Sequence, residues 1–198
     1  HDPEEMTYAI PEPLRPGDTV AVVSPSFGAI GRWPHRAERG EAYLRSLGLE
    51  VKLTSNAARN DSWVSAPVES RVADIHEAFA DPDVKLVLAG IGGNHSNQLL
   101  PHLDFDLIGG HPKWFQGYSD MTVLHWALLR RAGLATLYGP ALTLEIAEYP
   151  ETLAYTDRWL QAAWFRGRGR RGRSRPRWTV RSDRRRCGWS RCARCRAR

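Results

Sequence analysis

Five short apolar runs limit what this chain can fold into: Thr19-Val-Ala-Val-Val-Ser24, Leu49 to Leu53, Val84-Lys-Leu-Val-Leu-Ala89, Trp114-Phe-Gln116 and Ala135 to Tyr138. They are rich in β-branched and aromatic residues and mostly continuous in apolar character, as strands are when both faces of their sheet are covered. Between them the apolar spacing turns helical. Arg36 to Leu47 places Ala37, Tyr43, Leu44 and Leu47 on one stripe and stops at Gly48, a C-cap residue. Ala66-Pro67 opens a second helix with proline in its first turn, and Val68, Val72, Ile75, Ala78 and Phe79 keep the period as far as Asp81-Pro82. Met121 to Ala132, stopped by Gly133, and Pro150 to Phe165 read as two further helices. Asn56 to Ser65 is polar and loop-like, and the prolines of Ile10 to Asp18 disfavour helix. The alternation predicts an α/β fold, a parallel sheet with helices on both faces. Ligand sites in such sheets lie at the carboxyl ends of strands. Ser24, Gly92, Gly93, Asn94 and Ser119 all fall at predicted strand ends, which gathers them at one candidate site.

The overall charge of +6 averages two unlike segments. His1 to Phe165 carries 13 basic and 21 acidic residues, whereas Arg166 to Arg198 carries 15 arginines and one acid, Asp183. The basic character, and with it any inference of a polyanionic partner, therefore belongs to the last segment alone. Residues 1–165 read as one acidic domain and 166–198 as an aberrant tail. The tail holds no Leu, Ile, Met, Phe or Tyr, too little apolar surface to offset the ordering of a chain, so disorder is expected there. Its Arg, Gly, Trp, Cys, Ser and Pro suggest G-rich codons read out of frame, which the coding DNA near codon 166 would decide. Cys187, Cys192 and Cys195 lack a fourth ligand for a structural zinc. Tail arginines with Trp178 and Trp189 would hold polyanions non-specifically; no specific nucleic acid is expected. With no long apolar run, no membrane span is expected. The polar, acidic start lacks the features of a secretory leader, from which a cytoplasmic location is expected, although an already processed chain would look the same.

Gln116-Gly117-Tyr118-Ser119-Asp120 lies between a predicted strand and a predicted helix. A Gly-x-Ser at such a turn presents a serine hydroxyl for nucleophilic attack. The same pair, Ser119-Asp120, also suits a simple helix cap, and the final glycine of the usual motif is Met121 here. Acyl transfer needs donors aimed at the developing oxyanion. The Asp120 N–H and a glycine N–H from Gly92-Gly93 could supply them.

Read together, Pro13 to Ser26, Gly90-Ile-Gly-Gly-Asn-His-Ser-Asn-Gln-Leu-Leu-Pro101, Leu103-Asp-Phe-Asp-Leu-Ile108, Gly117-Tyr-Ser-Asp-Met-Thr-Val-Leu124 and Leu137-Tyr-Gly-Pro140 resemble the LD-carboxypeptidase family of serine peptidases. The resemblance runs from about Ile10 to Phe165 and is nearest the microcin C immunity (MccF-like) branch. It implies a flavodoxin- or amidotransferase-like sheet, normally followed by a second, smaller α/β domain. It also implies Ser119 as nucleophile, Gly92, Gly93 and Asp120 as the oxyanion hole, and Asn94, Ser96 and Tyr118 as substrate-binding residues. The implied reaction is amide hydrolysis on murein L,D-peptides or on a peptidyl- or aminoacyl-nucleotide antibiotic, with no metal or organic cofactor. Members are often homodimers.

The family's base and orienting acid, a His and a Glu, come from the C-terminal domain, and after Phe165 this chain has neither residue type. His125 lies six residues past Ser119, about 9 Å along a helix, and should point away from it. His95 reads as a loop residue exposed to solvent or touching substrate; His35, His76, His102 and His111 carry no pattern. A nucleophile without its base retains only residual catalysis, so the chain alone is expected to be inactive or nearly so. Two alternatives stand beside this: a non-catalytic acyl-peptide or nucleotide binding module with a basic tail, and a split enzyme completed by another chain. Trp159, Trp164 and Phe165 are expected in a core or an inter-domain contact.

Overall fold

In β1 (Thr19–Val23) successive side chains serve opposite faces: Val20 and Val22 enter one core cluster, Ala21 and Val23 the other, all fully buried. That double burial is why the run is continuously apolar. The computed structural model describes residues 8–166, which lie within one unit of the chain. The expectations made for the tail beyond Arg166 lie outside the described residues.

β1, β2 (Glu50–Leu53), β3 (Val84–Ala89), β4 (Trp114–Gly117) and β5 (Leu137–Tyr138) form a five-stranded sheet in the order β2-β1-β3-β4-β5. Every pair is parallel, with Val22 opposite both Leu53 and Leu88, and Leu88 opposite Gln116. The helices are α1 (Ala29–Arg32), α2 (Pro34–Ser46), α3 (Val68–Ala80), α4 (Phe105–Gly110), α5 (Thr122–Arg131) and α6 (Ala154–Phe165). Val72, Ile75, Phe79, Ile108 and Leu128 cover one face of the sheet; Ile30, Leu44, Ile146, Leu160 and Trp164 cover the other. The order reverses between β1 and β3, so the loops that follow them diverge and leave a crevice at their carboxyl ends.

Trp164 is fully buried and ties α6 to the sheet: its indole N–H donates to Gln116 Oε1 at 2.7 Å, while Gln116 Nε2 donates to the Pro140 carbonyl. Phe165 packs partly buried against the same cluster, but Trp159 is 55% exposed beside Tyr155. No helix of the described residues is long and apolar enough to cross a membrane.

The boundaries differ from expectation in instructive ways. α6 starts at Ala154 rather than Pro150, because the Thr152 hydroxyl turns back to the Ile146 carbonyl at 2.7 Å and closes a turn where helix was expected. Pro67 stands just before α3 rather than in its first turn. Phe105 to Ile108 proves helical because the Asp104 carboxylate accepts the Leu107 N–H and caps α4. A short 3-10 turn, Ser119–Met121, precedes α5, which begins at Thr122.

Candidate active site

β4 ends at Gly117, where only glycine fits: a Cβ there would sit 2.7 Å from Met121 Cγ and 2.9 Å from Ala89 Cβ. The chain then passes through an extended Tyr118 into Ser119 at φ 60°. A non-glycine residue in this left-handed region carries about 1–2 kcal/mol of steric strain, and the surroundings hold it there. The Ser119 N–H donates to Tyr138 Oη at 3.2 Å, and its carbonyl accepts the Thr122 hydroxyl at 2.6 Å. The residue is exposed at the rim of the sheet. Met121, in place of the usual glycine, is absorbed by burying its side chain fully in the core.

The end of β3 comes up beside this turn. A Cβ on Gly92 would lie 3.1 Å from Ser119 Cβ and 3.4 Å from the Asp120 nitrogen, so bare backbone faces the elbow here. Gly93, at φ 151°, lies against Ser26 from the loop after β1, and a Cβ on it would run into the Ser26 side chain. A cleft of about 250 Å³ opens between Gly92, Gly93 and Ser119, walled by Phe27, Ile91, Tyr118 and Leu144.

Asp120 does not cap its own helix. α5 has no side-chain cap, and the Asp120 carboxylate instead accepts the N–H groups of His95 at 2.9 Å and Ser96 at 3.0 Å. Burial pushes this carboxyl up, but hydrogen bonds from Ser26, Ser96 and His95 outweigh it and hold it below its usual range. Ser96 is fully buried and donates its hydroxyl to the Asp120 carbonyl at 2.7 Å. Its hydroxyl faces the elbow's main chain, because the loop folds inward to meet Asp120. Asn94 is exposed in the same loop. Tyr118 donates to Glu145 Oε1 at 2.7 Å; burial, and then this acidic neighbour, push its phenol up to about 12.

Among the described residues, no histidine nitrogen is hydrogen-bonded to Ser119. His125 is buried on α5, with Nε2 2.9 Å from the Gly117 carbonyl and Nδ1 2.8 Å from Thr136 Oγ1. A carbonyl only accepts, so Nε2 carries the proton and Nδ1 accepts from threonine. Burial holds this ring below its ordinary range, which favours the neutral form. His95 is partly buried with an unpaired Nδ1, and His76 Nε2 accepts the Asp104 N–H. No group of three His, Cys, Asp or Glu side chains that could hold a metal is present among the described residues. Sequence reasoning passed over Tyr138, Ser26, Glu145 and Arg71. Tyr138 stands within a quoted motif, but nothing in that motif marks it as the acceptor for the Ser119 N–H.

Residues 20–139 match the model of the LD-carboxypeptidase N-terminal domain. The chain is 35% identical over 144 residues to the microcin C7 self-immunity protein MccF of Escherichia coli, covering 73% of this chain and 42% of that protein. It is 36% identical over 107 residues to the murein tetrapeptide carboxypeptidase of Pseudomonas aeruginosa, covering 52% and 34%. A solved structure of MccF in complex with aspartyl sulfamoyl adenosine superposes with a TM-score of 0.77 at 32% identity, over 81% of this chain and 48% of that one. The chain thus spans less than half the length of the relatives it matches.

Proposed function

Since the chain belongs to the LD-carboxypeptidase family, we propose that it carries the nucleophile half of a serine-type amide hydrolase. Ser119 Oγ attacks the carbonyl carbon of the scissile amide. The C–N bond then breaks, the acyl group stays on Ser119 as an ester, and the amine leaves with a proton; water releases the acyl group in a second round. The Gly93 and Asp120 N–H groups stabilise the oxyanion of each tetrahedral intermediate, with Gly92 as the bare wall that lets the carbonyl approach. Asn94 and Tyr118 border the acyl side of the cleft. The substrate is a murein L,D-peptide or a peptidyl- or aminoacyl-nucleotide, a reading supported by a relative named murein tetrapeptide carboxypeptidase and by MccF solved with aspartyl sulfamoyl adenosine. Residues 1–165 act as the nucleophile domain.

One observation carries this reading: an exposed serine at φ 60°, with glycine backbone and the Asp120 nitrogen beside it. His125 is already bonded through both ring nitrogens and the unpaired His95 Nδ1 makes no hydrogen bond to Ser119, so on this reading the proton acceptor comes from outside the described residues. The chain alone therefore turns over only residually, and joining it to the second half of a relative restores hydrolysis. The test is reaction of the full chain with a fluorophosphonate, followed by peptide mapping, and hydrolysis by the fused protein. An adduct at Ser119, and fused activity abolished by Ser119→Ala, are expected. An adduct elsewhere, or fused activity that survives Ser119→Ala, overturns the assignment.

A further inference from the structure

Arg71, in the first turn of α3, is 2% exposed, and all its hydrogen bonds go to neutral acceptors. Nε donates to the Ala66 carbonyl at 2.8 Å. Nη1 donates to the Pro25 carbonyl at 2.9 Å and the His95 carbonyl at 3.2 Å. Nη2 donates to Gln98 Oε1 at 2.7 Å. Burying a guanidinium without a touching carboxylate is unfavourable in itself. Burial pulls its pKa down, and the charges of Asp120 and Glu69 oppose that at a distance.

The acceptors show what the arrangement achieves. Pro25 belongs to the loop after β1, His95 to the loop after β3, and Ala66 to the segment leading into α3. One rigid fork of five donors joins three segments that meet at the crevice; an ammonium on a flexible stem cannot span them. His95 is then held on both sides of its residue. Its carbonyl takes Arg71, while its N–H is shared between Ser26 Oγ and the Asp120 carboxylate, each at 2.9 Å. Asp120 is itself the residue after Ser119. The hydrogen-bond path thus runs from Arg71 through His95 to the elbow.

We propose that Arg71 is a positioning residue that locks the loop after β3 onto the Ser119 turn, so that the Gly93 and Asp120 N–H groups face the same point. Its catalytic consequence rests on the hydrolase reading above; the clamp itself does not. Two measurements on the full chain separate them. The first is amide hydrogen exchange at His95 and Ser96, with the β1 and β3 amides as internal controls. The second is adduct formation by a fluorophosphonate, resolved into its binding constant and its limiting rate. Arg71→Lys is expected to speed exchange at His95 and Ser96 about tenfold and leave the strand amides unchanged. It should also slow the limiting rate about tenfold without weakening probe binding.

Unchanged exchange at His95 and Ser96 overturns the proposal. So does equal acceleration in the strands, the mark of a merely structural role, and so does loop loosening with an unchanged limiting rate. If wild type forms no adduct at Ser119 either alone or fused to the second half of a relative, while Arg71→Lys still loosens the loop, the clamp stands and the hydrolase reading falls. Should Arg71→Lys fail to fold, Gln98→Ala removes one contact at an exposed residue. About threefold faster exchange at His95 then supports the clamp, and no change overturns it.

Discussion

Ser119 occupies a conformation that opposes stability, and the size of that opposition follows from one angle. At φ 60° its Cβ crowds the following carbonyl, worth about 1–2 kcal/mol for any residue with a Cβ. Ser119→Ala keeps the Cβ and loses the hydroxyl. Ser119→Gly loses both and gains freedom in the unfolded chain, which returns about 0.4–1 kcal/mol. The two variants share the missing hydroxyl, and the exposed side chain buries little. Their difference therefore isolates the strain: the glycine variant should be the more stable by about 1 kcal/mol. For a domain of this size that is a rise of about 2–4 °C in Tm relative to alanine. Calorimetry and urea unfolding on both full-length variants measure it, with equal m values as the check that only native strain has changed. Neither variant should form a fluorophosphonate adduct at position 119. Equal midpoints, or a more stable alanine variant, would refute the claim that the elbow is held against its own backbone preference.

Other expectations are shorter. Gly92→Ala places a methyl 3.1 Å from Ser119 Cβ and 3.4 Å from the Asp120 nitrogen, so adduct formation should slow about 100-fold; a rate within about threefold of wild type would contradict the assigned geometry. Tyr138→Phe keeps a 65% exposed ring but removes the acceptor for the Ser119 N–H, so adduct formation should slow about tenfold with little change in Tm. Burial lowers the pKa values of His125 and His76 below the ordinary 6.5, so the stability linked to each is full above that value and is lost as pH falls from it through the lower folded value. His125→Gln should therefore narrow the gap between urea midpoints measured at about pH 7 and about pH 5, leaving the share from His76; an unchanged gap would show that His125 does not titrate on unfolding. Trp164→Phe strands Gln116 Oε1 in the core and should lower unfolding free energy by about 2 kcal/mol or more in urea titration.

The central strands were legible because burial on both faces leaves a mark in composition. β3 lies between β1 and β4 and runs apolar from Val84 to Ala89 apart from Lys85, and its bounds match the expectation. Elements decided by one local bond left a weaker mark. α1 is four residues long, too short for any periodicity to show. α4 depends on the Asp104 carboxylate meeting the Leu107 N–H, and α6 starts late because of the Thr152 hydroxyl.

The site was legible as residue types and not as contacts. Strand-end positions could be assigned to Gly92, Gly93 and Ser119, but their adjacency needs β3 beside β4, with Leu88 opposite Gln116. Ser96 shows the limit of reading polarity: nothing in a serine of a glycine-rich loop announces that it is buried with its hydroxyl on the Asp120 carbonyl. Arg71 left less trace still. It falls three residues after Val68 and one before Val72, at the edge of the buried stripe of α3, where an arginine ordinarily turns to solvent. Its partners are mainly main-chain carbonyls, which every residue possesses, so no residue type in those loops announces them. His125 is the converse case. Spacing already turned it away from Ser119, but only the structure shows what it does instead, bonding through both ring nitrogens to Gly117 and Thr136. A ring that donates to the strand just before the elbow steadies the turn carrying Ser119, and for that same reason it cannot take the hydroxyl proton.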